Sequence, residues 1–287
     1  MAGKSMAIRM TVEQVRAAWL AGYASANTRA AYEADLRSYL TWCAEHHLEP
    51  LRPGADSLDH FREARQSGGI SAATVARQFA ALRAFYTAAE RLGACVDSPF
   101  EERQLRTSPG STTPVMSASE VKRLLTAATA DPRLAVLVHL LLGEGLRLSE
   151  ALAIDHDDIS GPPQSKRVNV VRHGRRRHIP LSRSTSKAVS RLQRGARRGG
   201  PLLVADSHTS TPERLSRFGA DFLLKQAAQS AGIDVAVSAN VLRRTHAARA
   251  HESGEHIDDI RDRMGHRDVR TTRRYIASDP PPSKRSK

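Results

Sequence analysis

Near the end of the chain, Met264-Gly265-His266 is followed nine residues on by Tyr275, with Thr271, Thr272, Arg273 and Arg274 packed between them. A phenol beside an imidazole and flanked by guanidinium groups has the parts that attack on a phosphodiester requires. These are a positioned nucleophilic oxygen, cations for the phosphate and a group that moves protons. An isolated Tyr hydroxyl has a pKa of about 10, so attack at neutral pH depends on those neighbours.

Two more Arg residues fall on predicted helices. An apolar stretch, Leu134 to Leu142, is broken by Gly143-Glu144-Gly145 and resumes as Leu146-Arg147-Leu148-Ser149-Glu150-Ala151-Leu152. The break places Arg147 at the start of a new helix, where its fork adds to the backbone donors and positive dipole end that favour an anion. Glu150, three residues on, can hold the guanidinium in place, although an ordinary surface pair has the same spacing. In Ser238-Ala239-Asn240-Val241-Leu242-Arg243-Arg244-Thr245-His246, Asn240 and Arg243 share one helical face. A further helix over Ile257 to Met264 ends at Gly265, so that His266 emerges past a helix stop and Tyr275 follows on the next short helix.

Residues 167 to 181 read as a β-hairpin, with Val168, Val170 and Val171 on one arm, His173-Gly174 at the turn and Ile179-Pro180-Leu181 closing the other. Arg172, Arg175, Arg176 and Arg177 crowd that turn, either as a tip reaching a phosphate backbone or groove, or as a solvated charge run. The first hundred residues read as four helices. Thr11 to Gln14 is a capping box ahead of Val12, Val15 and Trp19. A second helix starts at Asn27, with the face Tyr32, Leu36, Tyr39, Leu40 and Cys43. A third covers Ser57 to Gln66, and a fourth is capped by Ser71 and stopped by Gly93. Their aromatic stripes have core spacing. Thr28, Arg29, Thr74, Arg77 and Arg83 fall on helix starts or exposed faces where phosphate contacts are made, although each taken alone is better read as solvated surface.

Thr107 to Met116 holds two prolines, a glycine and no periodic apolar residues, which is linker composition. It divides the chain into domains at 1–106 and 117–279, the second opening on an N-cap at Ser117 or Ser119, with a basic, proline-rich tail at 280–287. The fold class is therefore mainly α with a small β-sheet. The 44 Lys and Arg exceed the 30 Asp and Glu by 14, and such a field attracts polyanions, nucleic acid first. Cys43 and Cys95 are too few for a disulfide framework. No apolar run reaches the roughly 18 residues of a bilayer span and no signal-peptide core is evident, which reads as a cytoplasmic protein without a membrane partner. His251, Glu252, Glu255, His256, Asp258 and His266 cluster in sequence but fit no tight metal-ligand spacing, so no metal is expected.

In order and approximate separation, GLRLSE at 145–150, NVLRR at 240–244, MGH at 264–266 and Tyr275 resemble the boxes of the tyrosine recombinase or phage integrase family, over essentially the whole chain. The resemblance implies a helical core-binding domain followed by an α+β catalytic domain. It implies that Tyr275 is the nucleophile, forming a covalent 3′-phosphotyrosine and releasing a 5′-hydroxyl. Arg147 and Arg243 would grip the non-bridging oxygens, and His266 would bond the phosphate or manage protons. Since the covalent link conserves the phosphodiester energy, no cofactor, ATP or metal is needed. Implied partners are double-stranded DNA core sites, a homo-tetramer on two duplexes that exchanges C-terminal tails, and an accessory directionality factor.

Two positions depart from the family pattern. Asn240 stands where the family usually has His, with Arg244 where another His is common, and Asn cannot transfer a proton at neutral pH. In the hairpin, Arg172 falls where the family has a Lys that protonates the departing oxygen; Arg stays charged above pH 12 and is a poor acid. His173 or Lys166 takes that role if the register differs. His246, one turn beyond Arg243, sits where the family has an apolar residue. The alternatives are a catalytically weakened, sequence-specific DNA-binding protein of the same fold, and a type IB topoisomerase. Only about ten residues precede the first helix, leaving no room for an arm-binding domain, and the tail is too basic and proline-rich for a long docking helix.

Overall fold

A computed structural model describes residues 10–54, 56–95, 99–100, 114–172, 174–194, 199–205 and 213–276, without the side chains of Arg172, Arg175 and Arg274. Residues 107–113 of the expected linker, His173 and the tail from 280 lie outside the described residues. The chain divides into two compact units, Met1–Ser111 and Thr112–Lys287.

The first unit contains α1 (Val12–Ala21), α2 (Ala26–Glu45), α3 (Ser57–Ser67) and α4 (Ala72–Arg91). Thr11 and Gln14 form the reciprocal capping box, and Ser25 caps α2, starting it one residue ahead of Asn27. Ser71 caps α4. The aromatic stripes face inward: Trp19, Tyr39, Trp42, Phe61, Phe79, Phe85 and Tyr86 are buried. The Tyr39 and Tyr86 hydroxyls meet at 2.9 Å, and Tyr86 also donates to the Pro50 carbonyl at 2.6 Å, which satisfies both groups in an apolar core.

In the second unit α5 (Ala118–Ala128), capped by Ser117, precedes α6 (Pro132–Val138), whose leucines are buried in the core. The apolar helix expected over Leu134 to Leu142 is α-helical only to Val138 and finishes in a single π turn, His139–Gly143. Then come α7 (Leu148–Ala153), a three-stranded antiparallel sheet of β1 (Ile159–Ser160), β2 (Arg167–Arg172) and β3 (Arg175–Pro180), and the helices α8 (Arg183–Leu192), α9 (Arg217–Ser230), α10 (Ala239–Glu252), α11 (Ile257–Met264) and α12 (Val269–Ile276). The hairpin register pairs Val168 with Ile179, Val170 with Arg177 and Arg172 with Arg175. Alternate residues share a face, and Val168, Val170 and Ile179 are buried. Arg177 therefore points inward, while Arg176 is exposed on the other face.

Candidate active site

Arg147 occupies the N-cap position of α7, reached by way of Gly145 in the left-handed region (φ 65°). A side chain at Gly145 would put its Cβ 2.5 Å from the His246 ring, so the turn is confined to glycine on two counts. Glu150, buried in the first turn of α7, accepts the Arg147 backbone N–H at 2.9 Å and its Nη1 at 3.1 Å. The same carboxylate accepts Arg177 Nη2 at 2.8 Å, so Glu150 ties the sheet to the helix start. Burial works to raise the Glu150 pKa, but the Arg147 N–H and the charges of Arg177, Arg147 and Arg243 outweigh it and hold the carboxyl below its usual range.

Helix α11 supplies the meeting point. Its last carbonyls have no partner within the helix, and three guanidinium groups take them. Arg177 Nη1 donates to Arg263 O at 2.7 Å, and Arg147 donates to Met264 O at 3.1 Å and Gly265 O at 3.0 Å. Arg243 Nη2 donates to Met264 O at 2.7 Å. The negative end of the helix dipole favours the same arrangement. Gly265 ends the helix at φ 63°, and a Cβ there would lie 2.6 Å from the Arg177 guanidinium carbon.

Arg243 is only 4 % exposed and also donates to the Gly145 carbonyl. Burial, then the charge of Arg147, brings its pKa down to about 10, with Glu150 and Tyr275 opposing, so it remains a cation at neutral pH. His266 lies beside it, with Nε2 2.9 Å from Arg243 Nη2 and Nδ1 2.9 Å from Thr272 Oγ1. A guanidinium can only donate, so Nε2 is the acceptor; the ring proton sits on Nδ1 and Thr272 accepts it. Burial and the charges of Arg243, Arg147 and Arg177 push His266 down to about 4 against the pull of Glu150, keeping it neutral.

The Tyr275 hydroxyl donates to Asn240 Oδ1 at 2.9 Å, its ring centroid is 5.1 Å from that of His266, and the Arg244 guanidinium lies 5.6 Å from its face. Tyr275, Arg147, Arg243, His266 and Asn240, separate in the sequence, are thus brought together. Arg172 is the last residue of β2, and its side chain lies outside the described residues. Lys166 sits at the other end of that strand, its backbone N–H on Ser186 Oγ at 3.1 Å. His246 is enclosed, with Nδ1 on the Leu142 carbonyl at 3.0 Å and a pKa pushed by burial down to about 4.

The expected DNA contacts have varied surroundings. Arg29 bonds the carbonyls of Tyr23 at 2.6 Å and Ala24 at 3.2 Å, and the Thr74 hydroxyl meets Ser71 Oγ at 2.9 Å. Arg77 pairs with buried Asp35, and Arg83 lies 5.4 Å over the Phe100 ring. Thr28 is half-buried in the first turn of α2. Among the described residues no three His, Cys, Asp or Glu side chains converge as a metal would require. Thr272 and the inward role of Arg177 were not anticipated. The signals were the i, i+3 relation of Thr272 to Tyr275 and the period-two pairing of Arg177 with Val170.

The family profile described as "Phage integrase family" matches residues 114–281, and "Phage integrase, N-terminal SAM-like domain" matches residues 16–93. The chain belongs to the tyrosine recombinase family. Among tyrosine recombinases it is 30 % identical over 276 residues to XerC of Rhodospirillum centenum, covering 89 % of this chain and 79 % of that one. It is likewise 30 % identical over 276 residues to XerD of Mycobacterium leprae, covering 88 % and 86 %. The fold is that of solved recombinase structures. A lambda integrase (75–356) dimer bound to a COC′ core site superposes with a TM-score of 0.75 at 14 % identity, over 96 % of each chain. The Tn1549 transposon integrase in complex with circular intermediate DNA gives 0.73 at 19 % identity, over 94 % of this chain and 96 % of that one. As a tyrosine recombinase of the Xer-like kind, the protein is a DNA strand-exchange enzyme acting in site-specific recombination. No helix among the described residues is long and apolar enough to cross a membrane.

Proposed function

We propose that the protein cleaves and rejoins duplex DNA at core sites through a covalent 3′-phosphotyrosine on Tyr275, integrating, excising or resolving a mobile element. Arg147 and Arg243 bind the non-bridging oxygens and stabilise the charge that builds on the phosphate in the transition state. His266, neutral and with its Nε2 lone pair towards the cluster, receives the phenol proton. Arg172 stabilises the departing 5′ oxygen by charge, and its proton comes from water, His173 or Lys166. Arg175 and Arg176 extend the positive hairpin towards the DNA. The working assembly is a tetramer on two duplexes in the cytoplasm, with an accessory factor setting direction. The observation that carries this reading is Tyr275 held on Asn240 and beside His266, while Arg147 and Arg243 share the Met264 carbonyl.

Asn240 and Arg172 favour a second reading, a sequence-specific DNA-binding protein with weakened catalysis, since neither side chain transfers a proton at neutral pH. A duplex nicked next to the scissile phosphate separates the two. A covalent protein–DNA adduct that disappears in Tyr275→Phe is the expected result; tight binding with no adduct at any time establishes the second reading instead.

A further inference from the structure

His266 depends on a residue that no catalytic role yet includes. Thr272 is fully buried on α12, three residues before Tyr275 and on the same side of the helix. Around the His266 ring stand Arg243 from α10, Arg147 and Glu150 at the start of α7, Arg177 from β3, and Tyr275 and Thr272 from α12. The three Arg are donors only. Of the two atoms bonded to the ring, Arg243 Nη2 offers a proton and Thr272 Oγ1 takes one.

We propose that Thr272 is a positioning residue for strand cleavage: it anchors the imidazole of His266 by accepting its Nδ1–H, keeps Nε2 turned to Arg243, and does so only while α12 is docked. The proposal rests on the recombinase reading given above. As the Tyr275 oxygen–phosphorus bond forms and the bond from phosphorus to the 5′ oxygen breaks, Arg243 Nη2 turns from Nε2 to the phosphate oxygens and the phenol proton passes to the Nε2 lone pair it has released. The departing oxygen takes a proton from water or the hairpin. The resulting imidazolium keeps its Nδ1–H on Thr272, so no ring flip is needed. Arg243, a donor only, selects the same tautomer through Nε2; Thr272 is the partner of the buried Nδ1–H, and without it that proton is left unpaired and the ring loses its anchor. Docking of α12, through Tyr275 and Ile276 on the cluster of Ala247, Ala250, Ile260 and Met264, thus delivers the nucleophile and arms its base in one movement.

The test begins without DNA. In the full-length protein labelled with ¹⁵N in histidine, ring spectra should give His266 as the Nδ1–H tautomer with a hydrogen-bonded proton, retained in Thr272→Ser, whereas in Thr272→Val that proton should move upfield and exchange faster. In single-turnover cleavage of the nicked duplex, Thr272→Val should be slower by at least about tenfold, part of the roughly 10²- to 10⁴-fold that a general base contributes. Its dependence on pH should be altered, and Thr272→Ser should recover most of the rate. Should Thr272→Val fold poorly, Thr272→Cys, similar in size and a weak acceptor, is read in the same way. A folded Thr272→Val protein with an unchanged Nδ1–H resonance, or with wild-type rate and pH profile, overturns the proposal. Wild-type protein that forms no adduct overturns the recombinase reading separately, and the Nδ1–H resonance then decides alone whether Thr272 positions His266.

Discussion

Asn240 holds the Tyr275 hydroxyl at 2.9 Å and gives it direction without taking its proton. Losing one such bond costs about 1 kcal/mol. Asn240→Ala should therefore slow adduct formation on the nicked duplex roughly five- to tenfold and leave DNA affinity unchanged; equal loss in both would mean that Asn240 contacts DNA instead. Arg77 has a different use from the phosphate contact its position suggests. Asp35 is only 2 % exposed and is raised in pKa by burial, against which Arg77 supplies the opposing charge. Because Arg77 itself is 47 % exposed, the pair is discounted for solvent screening. Arg77→Ala is expected to lower stability to urea by about 1–2 kcal/mol. A wild-type urea midpoint together with weakened DNA binding would restore it as a phosphate contact. The nucleophile and its two Arg partners were legible in the sequence because residue type and helix boundaries alone mark them. The environments of Arg77 and Arg177 were not, because each depends on which residue from a distant element arrives opposite.

At the scale of the element, polar caps and glycine stops carried most of the information. Thr11, Ser71 and Ser117 begin their helices, and Gly265 ends its own, where side-chain chemistry and backbone freedom say they should. A two-residue strand such as β1 has no period to detect, and the π turn at His139–Gly143 has the same leucine-rich composition as the helix it continues. Gly265→Ala tests the most demanding of these stops. A left-handed non-glycine residue costs about 1 kcal/mol, and the added methyl must displace the Arg177 guanidinium as well. Cleavage should fall more than thermal stability does. Combining it with Arg177→Ala should give less than the sum of the two single losses in a double-mutant cycle; strict additivity would disconnect the two positions.

Across the whole molecule, the second unit carries an acid sensitivity of its own. His246 and His266 are both pushed down to about 4, whereas in an unfolded chain each titrates at about 6.5. A lowered histidine pKa means that the fold favours the neutral form. This stability is therefore complete above about pH 6.5 and is lost as the pH falls from there towards 4, by up to about 1.4 kcal/mol per pH unit for each ring. Both Trp, at 19 and 42, lie in the first unit, so hydrogen exchange of α10 and α11 is the measurement to make. His246→Leu should reduce the slope by about half, and an unchanged slope would refute the assignment. The end of α11 has a further consequence. It collects guanidinium groups from α10, β3 and the start of α7, the last from 117 residues away. Backbone carbonyls cannot be substituted, but they can be turned. One residue inserted or deleted within α11 would rotate them by about 100° and shift them by about 1.5 Å. Its outward side chains are free to diverge; its residue count is not.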